Sequence, residues 1–202
     1  EASAHKPASY HERTPVDEAP FNDGAMPASV TGLFASMAAR GIILDATNLV
    51  YVRHVEEYAR EKKGTPPRCS AELTLRLTAQ AFRQGVAISS GTDGDNPDDA
   101  PFPSLYDELD LLAGPVGMPP MEVLRAATAT AARALGQEKT MGTIEPGKLA
   151  NLVVLAQDPL ADIDHVRSVT ETVKRGVRYP RSAFTAGDTD SKANGSGTHT
   201  PD

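Results

Sequence analysis

Gly41 and Gly85 mark the same kind of junction: a stretch with helical spacing ends on the glycine, and a short apolar run begins at once. Before Gly41, the apolar residues Val30, Leu33, Phe34, Met37 and Ala38 recur at helical spacing across Ala28 to Arg40. After it, Ile42-Ile43-Leu44-Asp45-Ala46-Thr47 reads as a strand. Before Gly85, Ser70 is a good N-cap for a helix to Gln84, with Leu73, Leu77, Ala81 and Phe82 inward. After it, Val86 to Ser90 reads as a second strand. A charge-rich helix around Val55 to Lys63 lies between, ended by Gly64-Thr65-Pro66-Pro67. The order helix, strand, helix, helix, strand is an α/β alternation with parallel strands, and glycine suits its short helix-to-strand connections.

Function on parallel sheets gathers at the strands' C-terminal ends. The second strand stops at Gly91-Thr92-Asp93, which puts the Asp93 carboxylate at such an end. The local sequence leaves another reading open, in which Asp93 only caps the turn Asp93-Gly94-Asp95-Asn96-Pro97. The loop to Pro103 also carries Asp95, Asp98 and Asp99, but lacks the glycine and glutamate offsets of an EF-hand, so it reads as a solvated acidic rim. A helix is expected from Ser104 to Ala113 with Leu105, Leu109 and Leu112 inward, and a longer one from Pro119 to Leu135, stopped by Gly136. Beyond Gly142 come strands at Ala150 to Leu155, Val169 to Lys174 and Arg178-Tyr179, a small β element. Residues 1 to 27 read as a long loop, and 183 to 202, with little to bury, as disordered.

Composition removes several classes. A net charge of -7 with scattered basic residues argues against nucleic acid as a partner. No apolar run reaches the ~18 residues of a membrane span. The single cysteine, Cys69, excludes an internal disulfide and any multi-cysteine zinc site. Glu1 opens the chain with neither Met nor a signal core, so we expect an internal starting point, with localisation and oligomeric state left open.

Several stretches together resemble the amidohydrolase superfamily, especially its imidazolonepropionase-like and Xaa-Pro-dipeptidase-like members. They are Ser90-Gly91-Thr92-Asp93, Ser104-Leu105-Tyr106-Asp107-Glu108-Leu109, Met121-Glu122-Val123-Leu124-Arg125-Ala126-Ala127-Thr128 and Gly142 to Leu155 with its Gly142-Thr143-Ile144-Glu145-Pro146-Gly147 turn. The resemblance implies an α/β fold: the C-terminal part of a (β/α)8 metal-dependent hydrolase barrel plus the C-terminal strands of a small β-sandwich. Residues 1–141 would hold barrel strands seven (Ile42 to Ala46) and eight (Val86 to Ser90) with their helices, residues 142–182 the sandwich strands, and 183–202 a tail. Asp93 falls on the family's strand-eight aspartate, a metal ligand and proton shuttle. The implied cofactor is one or two divalent ions, with zinc expected, and the implied partner a small-molecule amide or dipeptide whose C–N bond is hydrolysed. A metal lowers the pKa of bound water, and a nearby carboxylate can take that proton and return it to the leaving amine.

In this register the loops Asn48 to Arg53 and Gly94 to Pro103 would set selectivity, with Asn48, Tyr51 and His54 as candidate substrate contacts. The bland alternatives are that Asn48 caps a turn, Tyr51 packs on a helix and His54 is a solvated loop residue. Asn151 and Tyr106 depart from residues common in the family, Asp and His respectively. The family's other metal ligands have no counterpart here: His5 and His11 read as loop histidines, and His165 and His199 lack partners. One carboxylate cannot hold a catalytic zinc, so most ligands are expected outside this chain and the chain alone is expected to be inactive. The alternative is a non-catalytic barrel remnant serving as a structural or binding module.

Overall fold

A computed structural model describes residues 15–94, 96 and 100–184 of the chain; His5, His11 and His199 lie outside them. Both glycine junctions fold as their spacing predicts. Helix α1 (Ala28–Ala39) leads through Gly41, at φ +66°, into strand β1 (Ile43–Asp45). Helix α2 (Asn48–Glu61) and helix α3 (Ala71–Arg83) follow, and Gly85, at φ +82°, leads into β2 (Ala87–Ser89). Both glycines occupy the left-handed region that other residues enter only under strain. β1 and β2 pair in parallel, with Ile43 opposite Ala87, Leu44 opposite Ile88 and Asp45 opposite Ser89.

Side chains alternate across a pleated sheet, so paired Leu44 and Ile88 share one face and paired Asp45 and Ser89 the other. Ile88 is buried in the main core with Phe34, Ala81, Val86, Leu109, Leu112 and Val123, and Leu44 packs against that cluster. The helices therefore cover the Leu44–Ile88 face. Asp45 belongs to the opposite face.

Helix α2 corrects one expectation. Asn48 to Arg53 is not a loop, and the helix does not wait until Val55; it starts at Asn48, three residues beyond the end of β1. Nothing in Asn48-Leu49-Val50-Tyr51-Val52-Arg53 breaks a helix, and the expected loop rested only on the charge further along. Ser70 does cap α3, its side chain accepting from the Leu73 N–H at 3.1 Å. Within the expected loop 1–27, a 3-10 turn (Ala19–Gly24) straps the start of α3. The Glu18 carboxylate accepts from Ser70 N at 2.6 Å and Ser70 Oγ at 2.8 Å, and Arg76 donates to the Phe21 carbonyl at 2.7 Å.

Helix α4 (Leu105–Ala113) follows the acidic loop. The single helix expected to Leu135 is divided into α5 (Pro120–Arg125), a π turn (Ala126–Thr130) and α6 (Ala131–Ala134). At the π turn the Ala126 carbonyl accepts from Ser90 N at 3.3 Å, tying this wider turn to the chain just past β2. Gly142, at φ +96°, docks on the same region: a Cβ there would lie 3.1 Å from the Thr128 carbonyl oxygen. Strands β3 (Leu152–Leu155), β4 (Val169–Lys174) and β5 (Val177–Pro180) form an antiparallel sheet in sequence order. A two-residue turn at Arg175 and Gly176, both at positive φ, joins the last two. Arg181–Ala183 is a 3-10 turn and the Arg181 guanidinium lies 4.5 Å from the Phe184 ring centre; of the expected tail, residues 185–202 lie outside the described part.

Candidate active site at the C-terminal ends of the parallel strands

The open end of the β1–β2 pair gathers carboxylates. Asp45 is the last residue of β1, and Asp93 stands four residues beyond β2 at φ +45°, a left-handed conformation that aspartate enters more readily than most residues. The Asp45 carboxylate lies over Gly91, where a Cβ would be 2.7 Å from Oδ2 and 2.8 Å from Cγ. Only glycine leaves room for it. Partial burial, with the neighbouring Asp93 charge adding to it, pushes the Asp45 carboxyl above its ordinary range. Among the described residues neither carboxylate accepts a hydrogen bond or pairs with a cation.

Below this mouth lies a third carboxylate with the opposite character. Glu108, on α4, is fully buried. Its Oε1 accepts from Asn48 N at 3.1 Å and Asn48 Nδ2 at 2.9 Å, and its Oε2 from Leu49 N at 2.6 Å. Asn48 Oδ1 in turn accepts from Thr78 Oγ1 at 2.9 Å. The residue preceding α2, Thr47, is left-handed at φ +44° and caps nothing, so Glu108 caps α2 from a different helix. That carboxylate satisfies two of the helix's free N–H groups and meets the positive end of its dipole. Burial pushes the Glu108 carboxyl up, the three hydrogen bonds oppose that, and Asp45 adds to it. The network ties α2, α3 and α4 together immediately behind Asp45.

The arginines nearby are committed to other acids. Arg53 donates to Asp107 at 2.8 Å, and Arg167 reaches Asp110 at 2.7 Å, Asp107 at 3.0 Å and Asp164 at 2.8 Å, clamping the loop before β4 to α4. These contacts hold Arg167 charged, raised above its ordinary range chiefly by Asp110.

The expected site residues land as follows. Asp93 is exposed at the mouth. Asn48 is completely buried, with both ends of its amide engaged by Glu108 and Thr78. Tyr51 is exposed on α2. His54, one turn on, is half-buried, and its Nε2 has no hydrogen-bond partner among the described residues. Tyr106 lines a separate cavity of about 550 Å³ with Phe102, Tyr179 and Arg181. His165 Nδ1 meets the Asp158 carbonyl oxygen at 2.8 Å, a local turn contact. Among the described residues no group of three or more His, Cys, Asp or Glu is placed to hold a metal ion. Asp45 and Asp93 suit a hard cation by their oxygen donors, yet zinc takes at least three protein ligands, so these two alone do not complete a site.

Asp45 and Glu108 were not expected as site residues. Both left a signal: Asp45 puts a charge in an otherwise apolar strand, and Glu108 falls on the face of Leu105, Leu109 and Leu112 at offsets of three and four.

Comparison with known proteins decides the family. The profile described as "Amidohydrolase family" matches residues 12–178. The chain belongs to the amidohydrolase family. This amidohydrolase is 36% identical over 136 residues to an imidazolonepropionase of Pseudomonas fluorescens, covering 64% of this chain and 34% of the relative. An imidazolonepropionase of Geobacillus kaustophilus is 37% identical over 94 residues, 46% of this chain and 22% of the relative. Among solved structures, a Xaa-Pro dipeptidase with methionine bound in its active site superposes with a TM-score of 0.63 at 25% identity, over 77% of this chain and 38% of the other. The ochratoxinase of A. niger gives 0.61 at 25% identity, over 79% and 36%. The chain thus spans about a third of the length of such relatives. Among the described residues no helix is long and apolar enough to cross a membrane.

Proposed function

We propose that this amidohydrolase chain is the C-terminal part of a metal-dependent hydrolase that cleaves an amide or cyclic-amide C–N bond of a small molecule. Residues 1–141 would contribute strands seven and eight of a (β/α)8 barrel and their helices, and 142–182 the closing strands of a small β-sandwich. The observation that carries this reading is the position of Asp93: a carboxylate at the C-terminal end of a parallel pair, with no cation paired to it among the described residues, where such barrels keep their chemistry. Family membership and the similarity to imidazolonepropionases and a Xaa-Pro dipeptidase support it.

In this reading Asp93 would hold a divalent ion, zinc by expectation, together with ligands from polypeptide outside this chain. When bound, that ion supplies Lewis acidity and a water acidic enough to attack at neutral pH. Asp93 takes one proton from the attacking water and, as the C–N bond breaks, gives it to the departing nitrogen, so acid and amine leave with protons balanced. Tyr51 and His54, the latter with a buried Nε2 that has no partner among the described residues, remain the proposed substrate contacts; Asn48 would act from behind, through Glu108.

The incomplete ligand set among the described residues favours one other reading, a non-catalytic barrel remnant acting as a structural or binding module. Asp93→Asn in the intact protein separates the two. On the enzyme reading, metal content by atomic emission falls and hydrolysis of a panel of N-acyl amino acids, Xaa-Pro dipeptides and lactams is lost. Metal content and hydrolysis unchanged by the substitution would remove Asp93 from the role given to it.

A further inference from the structure

We propose that Arg181, the residue after the last strand, is a positioning residue for substrate binding: it grips the end of the loop whose start carries Asp93. The inference rests on the reading of Asp93 above, since that loop borders the reaction only if Asp93 does.

Three contacts made within this chain place Arg181 there. Its Nη2 donates to the Pro101 carbonyl at 2.7 Å, across 80 residues of sequence. Its guanidinium lies 4.9 Å from the Phe102 ring centre and 4.5 Å from that of Phe184. A planar cation gains from the negative faces of aromatic rings while its edge donates hydrogen bonds, a combination that a lysine ammonium does not reproduce.

The part of the loop it grips is stiff. Pro101 and Pro103 fix their own φ and restrict Ala100 and Phe102 before them, so anchoring one carbonyl and one ring sets the direction of the whole stretch. The Phe102 ring meets that of Tyr106, on α4, at 5.3 Å between centres. Ser104 N donates to Asn96 Oδ1 at 2.6 Å, which ties this end of the loop back to a residue three beyond Asp93. Arg181 is itself held by the sheet: it follows Pro180 directly, and Pro180 pairs with Glu171 on β4. One side chain thus joins the antiparallel sheet to the loop that leaves β2.

The loops after barrel strands determine which substrates bind. Arg181 acts on the far end of such a loop, so its loss weakens substrate and transition state alike, raising KM while kcat holds.

The test uses the intact, metal-loaded protein and whichever N-acyl amino acid, Xaa-Pro dipeptide or lactam the wild type hydrolyses best. Arg181→Met keeps the length of the side chain and removes its charge and donors. We expect KM to rise about fivefold or more with kcat within about twofold, and metal content and the urea midpoint as in the wild type. Hydrogen exchange at the Ser104 amide should quicken at the same time. Arg181→Lys should keep most of the defect, because the ammonium lacks the plane that meets the rings. A KM within about twofold of the wild type in Arg181→Met, Ser104 exchange left unchanged, or full rescue by lysine each overturns the inference. So does a rise in KM that comes with lost metal or a lowered urea midpoint, which would make Arg181 a stability residue only. Asp93→Asn run alongside keeps the two readings apart: it should abolish hydrolysis and leave Ser104 exchange as it was. Hydrolysis lost in Asp93→Asn but indifferent to Arg181 removes the role of Arg181 alone, whereas a wild type that hydrolyses nothing on the panel removes both.

Discussion

Replacing Glu108 by alanine tests the idea that α2 is capped from across the core. The substitution removes the acceptor of three N–H donors, those of Asn48 N, Asn48 Nδ2 and Leu49 N, in a place where Asn48 and Glu108 are both fully buried. A buried donor left unpaired costs about 1–3 kcal/mol, and a lost helix cap typically about 1 kcal/mol. Part of this is recovered if water enters the space vacated by the side chain, so each donor is taken at the low end. The sum is about 3–4 kcal/mol, against a total stability of about 5–15 kcal/mol for a typical domain. Equilibrium urea denaturation of the intact protein, followed by far-ultraviolet circular dichroism, measures it directly. Asn48→Ala should cost less, about 1–2 kcal/mol, because Thr78 Oγ1 keeps the Thr74 carbonyl at 3.3 Å and the two backbone donors keep Glu108. The double variant should fall short of additivity by about 1 kcal/mol, as the two residues share a bond. A loss under about 1 kcal/mol for Glu108→Ala would mean that α2 is held by packing alone, and the capping argument would fail.

Glu108 also predicts a pH dependence. Its carboxyl is raised above the ordinary glutamate value, burial outweighing its hydrogen bonds, so between the unfolded and folded pKa values the native state binds more protons than the unfolded chain. Stability from this group is therefore complete below the ordinary glutamate pKa and declines as pH rises through the folded value. Denaturation of wild type and Glu108→Gln across mildly acidic pH should show the wild type losing ground as pH increases, and the opposite slope would mean that the hydrogen bonds dominate. Ser70→Ala should cost about 1 kcal/mol in the same assay, the usual worth of an N-cap. A change within 0.3 kcal/mol or so would mean that Glu18 and the 3-10 strap cap α3 without it.

The helices and strands were legible because each has a strong local cause. The glycines at 41 and 85 need positive φ, Ser70 needs only the N–H of Leu73, and the alternation of Val169 to Lys174 shows in the sequence as it does in the sheet. What local patterns missed depends on partners far away in the chain. The start of α2 is fixed by Glu108, 60 residues on, and no window of a dozen residues around Asn48 contains that acid. The π turn at Ala126–Thr130 arises where a helix meets the chain beyond β2, and an alanine-rich run has no side-chain pattern to announce it.

The mouth of the parallel pair shows the same division between local and distant causes. Gly91 reads locally as part of a loop signal, one glycine in a turn among several. The atoms nearest to its missing side chain belong to the Asp45 carboxylate, which arrives from the neighbouring strand. A glycine at that position and an acid at the end of β1 are therefore a single feature written in two places. Filling Gly91 with even a methyl group would push Asp45 out of its place, whereas removing the Asp45 carboxylate would free the space that now demands glycine. The coupling predicts that Gly91→Ala disturbs the site in the wild type and is milder in an Asp45→Ala background. Near-equal effects of Gly91→Ala on stability in the two backgrounds would show that the glycine answers to its own backbone rather than to the acid beside it.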